Sequence, residues 1–230
     1  MFLNEERQMN IVAKLISQTK KPTGIAGLIL TKAMNRAHSR ITNWGLHFLE
    51  IDEGHKILEI GCGGGKTIYK LAQMFRNGKV YGIDYSDVSV KSSTKLNSHL
   101  VDQNRVEIQK ASVSSIPYPA EFFDVITAIE TYFFWPNLEN DMKEVLRVLR
   151  PKGKLLLVSE IVRRPENEKT IDRFARLANT SDYMRYKTKG ELNQIFINAG
   201  YGNVTIHENK KHGWICAVGC KPDKKEKEES

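Results

Sequence analysis

The sequence predicts an α/β fold, a doubly wound sheet of seven strands that is mostly parallel and ends in an antiparallel hairpin. Three observations carry this. A short apolar stretch, Lys56 to Ile60, runs straight into Gly61, Gly63 and Gly65, and a helical pattern (Ile68, Leu71, Ala72, Phe75) follows at once. Apolar strands and helical stretches then alternate as far as Ser159, the order that builds a parallel sheet with crossover helices. Two late apolar stretches, Val204 to Glu208 and Trp214 to Val218, close the pattern as a hairpin.

Taken in order, Asn4 to Gln18 has a helical pattern that Lys21-Pro22-Thr23-Gly24 breaks. Leu30, Met34, Ala37, Ile41, Trp44 and Phe48 then recur at steps of four and three, one continuous apolar stripe. The second strand is Val80 to Ile83, closed by Asp84, and Ser86 is the expected N-cap of a helix that includes Val88, Val90, Leu96 and Leu100. Val106 to Gln109 is the third strand. Phe122 to Ile129, almost continuously apolar, is the fourth and is expected to be buried on both faces. A helix over Leu138 to Leu149 is expected to stop at Pro151 and Gly153, with a fifth strand over Lys154 to Ser159 that Glu160 closes. A polar insertion holds a short helix around Ile171 to Leu177. In the last helix, Thr188 to Ala199, Thr188 and Glu191 are spaced as a capping box and Gly200 is the stop.

The expected organisation is an N-terminal helical lid over residues 1–50, a ligand-binding domain over 51–220 with an insertion at 161–187, and a disordered, solubilising tail over 221–230. With 230 residues, 40% hydrophobic and 27% charged, the chain can bury a full core as one domain. The net charge of +8 would suit an acidic partner, but no Lys/Arg block alternates with aromatics, so a lysine-rich solvated surface is expected and nucleic acid is not. Cys62, Cys216 and Cys220 are odd in number and lack metal-ligand spacing, which points to reduced thiols and no metal site. The charged start, Met1 to Asn10, is not expected to act as a secretory signal, and the longest apolar run, Gly24 to Leu30, is too short to span a bilayer. A cytoplasmic location is expected.

The glycine spacing separates two ligand classes. Dinucleotide enzymes use G-x-G-x-x-G, whereas here Gly61 and Gly63 are followed by Gly65 and then Lys66. A pyrophosphate needs an open helix N-terminus, and the carboxylate of Glu59 just before the turn would repel it. Asp84 lies 23 residues beyond Gly61, about where such folds set an acid on ribose hydroxyls. The series Glu59, Gly61, Gly63, Gly65 resembles motif I of class I S-adenosylmethionine-dependent methyltransferases, small enzymes with a Rossmann-like fold, and the resemblance covers most of residues 50–220.

Several expectations follow from that resemblance. The cofactor is S-adenosyl-L-methionine and the product S-adenosyl-L-homocysteine. Glu59, Gly61, Cys62, Gly63 and Gly65 form the cofactor turn. Tyr81 to Ser86 looks like motif II, in which Asp84 holds the ribose, Tyr85 packs on adenine and Ser86 follows. Ala111, Ser112 and Val113 look like the loop after the third strand. Many relatives place an aspartate at Ser112 that accepts from the adenine amino group, so here the hydroxyl or nearby backbone must replace it. Phe123 to Thr131 matches motif IV, and Ile129 and Glu130 leave that strand beside the methionine part.

The acceptor is expected to be a small molecule. Tyr132 and Trp135, from the aromatic run that ends at Pro136, together with Trp44 and Glu160, are the expected acceptor-pocket residues, since ring faces suit a sulfonium cation. The reaction is an in-line displacement in which alignment and desolvation do most of the work. If the acceptor must lose a proton, His38 on the N-terminal helix is the candidate base, with Glu130 and Glu160 as alternative polar wall groups. An RNA or protein methyltransferase and a non-catalytic cofactor-binding protein remain alternatives. Oligomeric state is not legible.

Overall fold

The computed structural model describes residues 39–50, 52, 54–177 and 185–223, with the side chains of 173–177 left aside. The expected helix over Asn4 to Gln18, the first half of the apolar stripe, His38 and most of the tail lie outside the described residues.

Seven strands form one sheet: β1 (Lys56–Ile60), β2 (Lys79–Asp84), β3 (Val106–Lys110), β4 (Phe123–Ile129), β5 (Leu149–Ser159), β6 (Gly202–Asn209) and β7 (Trp214–Cys220). Their order across the sheet is β3-β2-β1-β4-β5-β7-β6. The first five are parallel, while β7 runs antiparallel to both β5 and β6. The chain winds outward from β1 to β3, then crosses back to β4 on the other side of β1. That reversal opens a crevice beyond the carboxyl ends of β1 and β4, where ligands bind in doubly wound sheets.

Both faces of the sheet are covered, which is why its central strands read as unbroken apolar runs. Leu58 and Ile60 of β1 join one apolar layer and Ile57 joins the other. The first layer takes in α5 (Leu138–Val148) and α7 (Lys189–Ala199), through Met142, Val145, Leu192 and Phe196. The second takes in α1 (Ser39–Leu46) and α2 (Lys66–Met74), through Ile41, Ile68 and Leu71. The remaining helices are α3 (Asp87–Leu96), α4 (Ser98–Asp102) and α6 (Glu168–Leu177). Among the described residues no helix is long and apolar enough to cross a membrane.

Local chemistry sets the boundaries. Ser86 caps α3, accepting from the Ser89 amide at 3.4 Å. Thr188 and Glu191 form the expected capping box at α7, and Gly200 ends that helix in the left-handed region with φ 96. Two expectations are corrected. The segment after Ser86 is two helices, broken at Asn97, and it packs through Ser89 and Ser93, with Leu96 left 50% exposed. The fifth strand begins at Leu149, which pairs with Phe123, five residues before Lys154. A bulge between Phe123 and Val125 absorbs Pro151 and the left-handed Lys152 (φ 64), so the proline does not end the pairing.

Candidate active site

The glycine turn joins β1 to α2 with three residues at positive φ: Gly61 (72), Gly63 (52) and Gly65 (82). The amides of Gly61 and Cys62 donate to the Ile83 carbonyl at 2.8 and 3.0 Å, stitching the turn to the end of β2. A side chain at Gly61 would press on Thr131, 2.5 Å from its Cγ2. At Gly65 it would run into Ser93 and Asn97 at the end of α3. At Gly63 it would meet only the Gly61 carbonyl, at 4.0 Å, so there the missing Cβ leaves backbone open to a ligand.

Two acids flank the turn. Glu59 is buried, accepts from Thr127, and is pushed well above the usual carboxylate range by burial, which the hydrogen bonds from Thr127 and the Ile129 amide only partly offset. Asp84 ends β2. Its Oδ2 accepts from the Gly63 amide at 3.0 Å and its Oδ1 from the Ser86 amide at 2.9 Å. Burial raises its pKa, against those two hydrogen bonds and one with Ser89.

The loop after β3 forms the next wall. Its Ala111 amide donates to the Asp84 carbonyl at 3.1 Å. The Ser112 hydroxyl accepts from the Ser114 amide at 3.2 Å, and Ser114 in turn donates to the buried Asp141 of α5 at 2.6 Å. On the far side, β4 ends in Glu130 with φ 58, followed by a 3-10 turn, Tyr132–Phe134. The Glu130 amide donates to the Val158 carbonyl at 2.9 Å, and its carboxyl accepts from the Glu160 amide at the end of β5. Burial raises Glu130 to about 8, the nearby Glu160 adds to this, and the amide opposes it.

These segments enclose a cleft of about 310 Å³. Glu59, Gly61, Cys62, Gly63, Asp84, Tyr85, Ala111, Ser112, Val113, Ile129, Glu130 and Trp135 line it together, all named from the sequence. Five named residues do not. Tyr132 points into the core, where its hydroxyl accepts from the Lys187 amide at 3.1 Å. Trp44 packs on Phe48 and Trp214, with ring centroids 5.2 and 5.9 Å away. Gly65 and Ser86 shape the turn and the helix start, and Glu160 contributes its backbone amide to Glu130. His38 lies outside the described residues.

The cleft also holds residues that sequence reasoning passed over. Ser39 and Thr42 of α1, Lys66, Thr67 and Lys70 of α2, and Thr131, Phe134 and Pro136 beyond β4 all line it. Lys66 and Lys70 are four apart, one face of a helix, which was a readable signal. The Lys70 ammonium donates to the Ser39 carbonyl at 3.4 Å and to Asn43, tying α1 to the cleft rim. Burial lowers the Lys70 pKa, and Lys66 adds to the effect. Among the described residues no three His, Cys, Asp or Glu side chains converge as a metal site would need.

The donor set discriminates between ligands. In an open glycine turn the amides would point at a phosphate. Here the Gly63 amide is already taken by Asp84 and the Gly65 amide by the Cys62 carbonyl at 2.9 Å, while Glu59 adds a second acid. Two of the turn's amides are thus satisfied within the protein, and acids and lysines line the same cleft. Residues 58–157 match the family model described as a methyltransferase domain. Over those residues the chain carries a domain similar to S-adenosylmethionine-dependent methyltransferases.

Its similarity to the uncharacterized methyltransferase YdaC of Bacillus subtilis (strain 168) is 28% identity over 136 residues, 59% of this chain and 71% of that one. With the 27-O-demethylrifamycin SV methyltransferase of Amycolatopsis mediterranei (strain S699) it shares 30% identity over 124 residues, 54% of this chain and 45% of that one. The chain thus spans less than half of the second relative's length. A solved S-adenosylmethionine-dependent methyltransferase from Aquifex aeolicus superposes with a TM-score of 0.67 at 20% identity, covering 84% of this chain and 98% of that chain, a likeness of fold. The cofactor of the family is S-adenosylmethionine.

Proposed function

We propose that this methyltransferase binds S-adenosylmethionine across the β1–β4 crevice and passes its methyl group to a small, largely apolar acceptor. The observation that carries the reading is Asp84, an acid fixed by two backbone amides in a cleft that the glycine turn also lines. Each Asp84 oxygen keeps lone pairs for the two ribose hydroxyls. Glu59 stands on the side of the zwitterionic amino-acid end, where Gly61, Cys62 and Gly63 let it approach the backbone. Tyr85, Ala111, Ser112 and Val113 border the adenine, and Ile129 and Glu130 flank the methionine part.

The bound cofactor supplies an activated methyl on a sulfonium. The protein's part is to align an acceptor with it and keep water out. The rings of Phe134 and Trp135 serve both ends, since they exclude water and present faces that attract a cation. The name of the Amycolatopsis relative, which specifies 27-O-demethylrifamycin SV, supports an acceptor that is not a macromolecule.

The test has two arms. Calorimetry with S-adenosylmethionine and S-adenosylhomocysteine should show both binding, and binding of neither removes the reading. Incubation of a cell extract with methyl-labelled cofactor should then place label in the organic-soluble fraction. Label confined to RNA or protein would contradict the small acceptor.

A further inference from the structure

Glu130 is placed in a way that cofactor binding does not require. It is not glycine, yet it stands at φ 58, a left-handed conformation that is strained for a residue bearing a side chain. Two contacts with β5 hold it there: its amide on the Val158 carbonyl at 2.9 Å and its carboxyl on the Glu160 amide. The result is a half-buried carboxyl in the cleft wall, next in the chain to Ile129 and Thr131 and in the same cleft as Phe134, Trp135 and Pro136. Strained acids in a cleft wall cluster at functional sites. The ribose already has Asp84 and the glycine turn has Glu59, so a third acid at this end is free for the acceptor.

We propose that Glu130 is the general base of the transfer, and that the acceptor is a molecule whose attacking atom carries a proton, a hydroxyl or an N–H, on an apolar body. This rests on the methyl-transfer reading. As the bond from the attacking atom to the methyl carbon forms, the sulfur–methyl bond breaks and its electron pair returns to sulfur. The proton of the attacking atom goes to a Glu130 oxygen and then to solvent when the product leaves. Glu130 acts in its ionised form, so the rate rises as pH approaches 8 from below. The titratable groups that face it are Glu160 after β5, the phenols of Tyr132 and Tyr186, and, among the residues lining the cleft, Glu59, Asp84, Lys66 and Lys70.

A cofactor analogue tests this without knowledge of the acceptor. Sinefungin carries an ammonium group where the transferred methyl stands, and S-adenosylhomocysteine carries nothing there. Their affinities are measured by calorimetry at pH 6.5 and 8.5 on the wild-type protein and on Glu130→Gln. Charges elsewhere on the two ligands are alike and cancel in the ratio. The preference for sinefungin should grow by about tenfold between the two pH values in the wild type, as a charge-assisted hydrogen bond forms, and stay flat in the variant. A ratio that does not change with pH in the wild type overturns the proposal, and that comparison needs no variant to fold. A variant that weakens both ligands equally overturns it too, since Glu130 would then serve the cofactor or the fold. Failure of the wild type to bind either ligand removes methyl transfer itself, a different outcome from a pH-independent ratio.

Discussion

The Gly63 amide donates to Asp84 Oδ2 at 3.0 Å, so the acid that ends the second strand is locked onto the glycine turn that follows the first. Two residues 21 positions apart thereby form one rigid unit at the mouth of the crevice. The Gly63 amide is thereby satisfied within the protein, and the Asp84 carboxyl is held in one orientation.

The three glycines of the turn are expected to respond differently to alanine. Gly65→Ala forces a left-handed alanine into Ser93 and Asn97, and should lower stability by about 2–4 kcal/mol from strain and overpacking together. Gly63→Ala meets open space, so thermal unfolding should shift only by the left-handed penalty of about 1–2 kcal/mol. Calorimetry should find the larger loss of cofactor affinity in the Gly63 variant. Equal melting shifts for the two would contradict the distinct roles.

Tyr132→Phe leaves the Lys187 amide without its partner and should cost about 1–3 kcal/mol in denaturant unfolding. Cofactor affinity should stay within twofold, because the ring lies in the core and not in the cleft. A large affinity loss with unchanged stability would return Tyr132 to the site.

Glu130 also makes stability depend on pH. Its carboxyl is raised from 4.5 to about 8 in the folded chain, so the unfolded chain gives up this proton first. The protonated group's contribution is complete below pH 4.5 and is lost as pH rises to about 8. Melting temperatures measured from pH 5 to 8.5 should therefore fall less steeply for Glu130→Gln than for the wild type. Identical slopes would mean that Glu130 is not held protonated by the fold.

The central strands were legible because burial on both faces leaves an unbroken apolar signal, as in β4. The glycine turn was legible because positive φ restricts residue choice so strongly. β5 was harder: Pro151 and Gly153 read as a stop, yet a bulge lets the chain pair with β4 across them. The helix after Ser86 misled for another reason. Its inward face carries Ser89 and Ser93, with Ser93 close against Gly65, and this hid the buried stripe from a hydrophobic count.

In the site, the residues around the turn and the ends of β2 and β4 could be named from chain order alone. The aromatic run could not be sorted, because a 3-10 turn sends successive rings in different directions: Tyr132 went to the core while Phe134 and Trp135 reached the cleft. Ser39 and Thr42 join the cleft through contact between α1 and α2, a long-range relationship with no local signature.

The most direct measurement is calorimetric titration of S-adenosylhomocysteine into the wild type and into Asp84→Ala. The wild type should bind, and the variant should bind more weakly by about 1–3 kcal/mol, the cost of leaving buried ribose hydroxyls unpaired. Equal affinity in the two proteins, or no binding by the wild type, would contradict the assignment of this crevice to the cofactor.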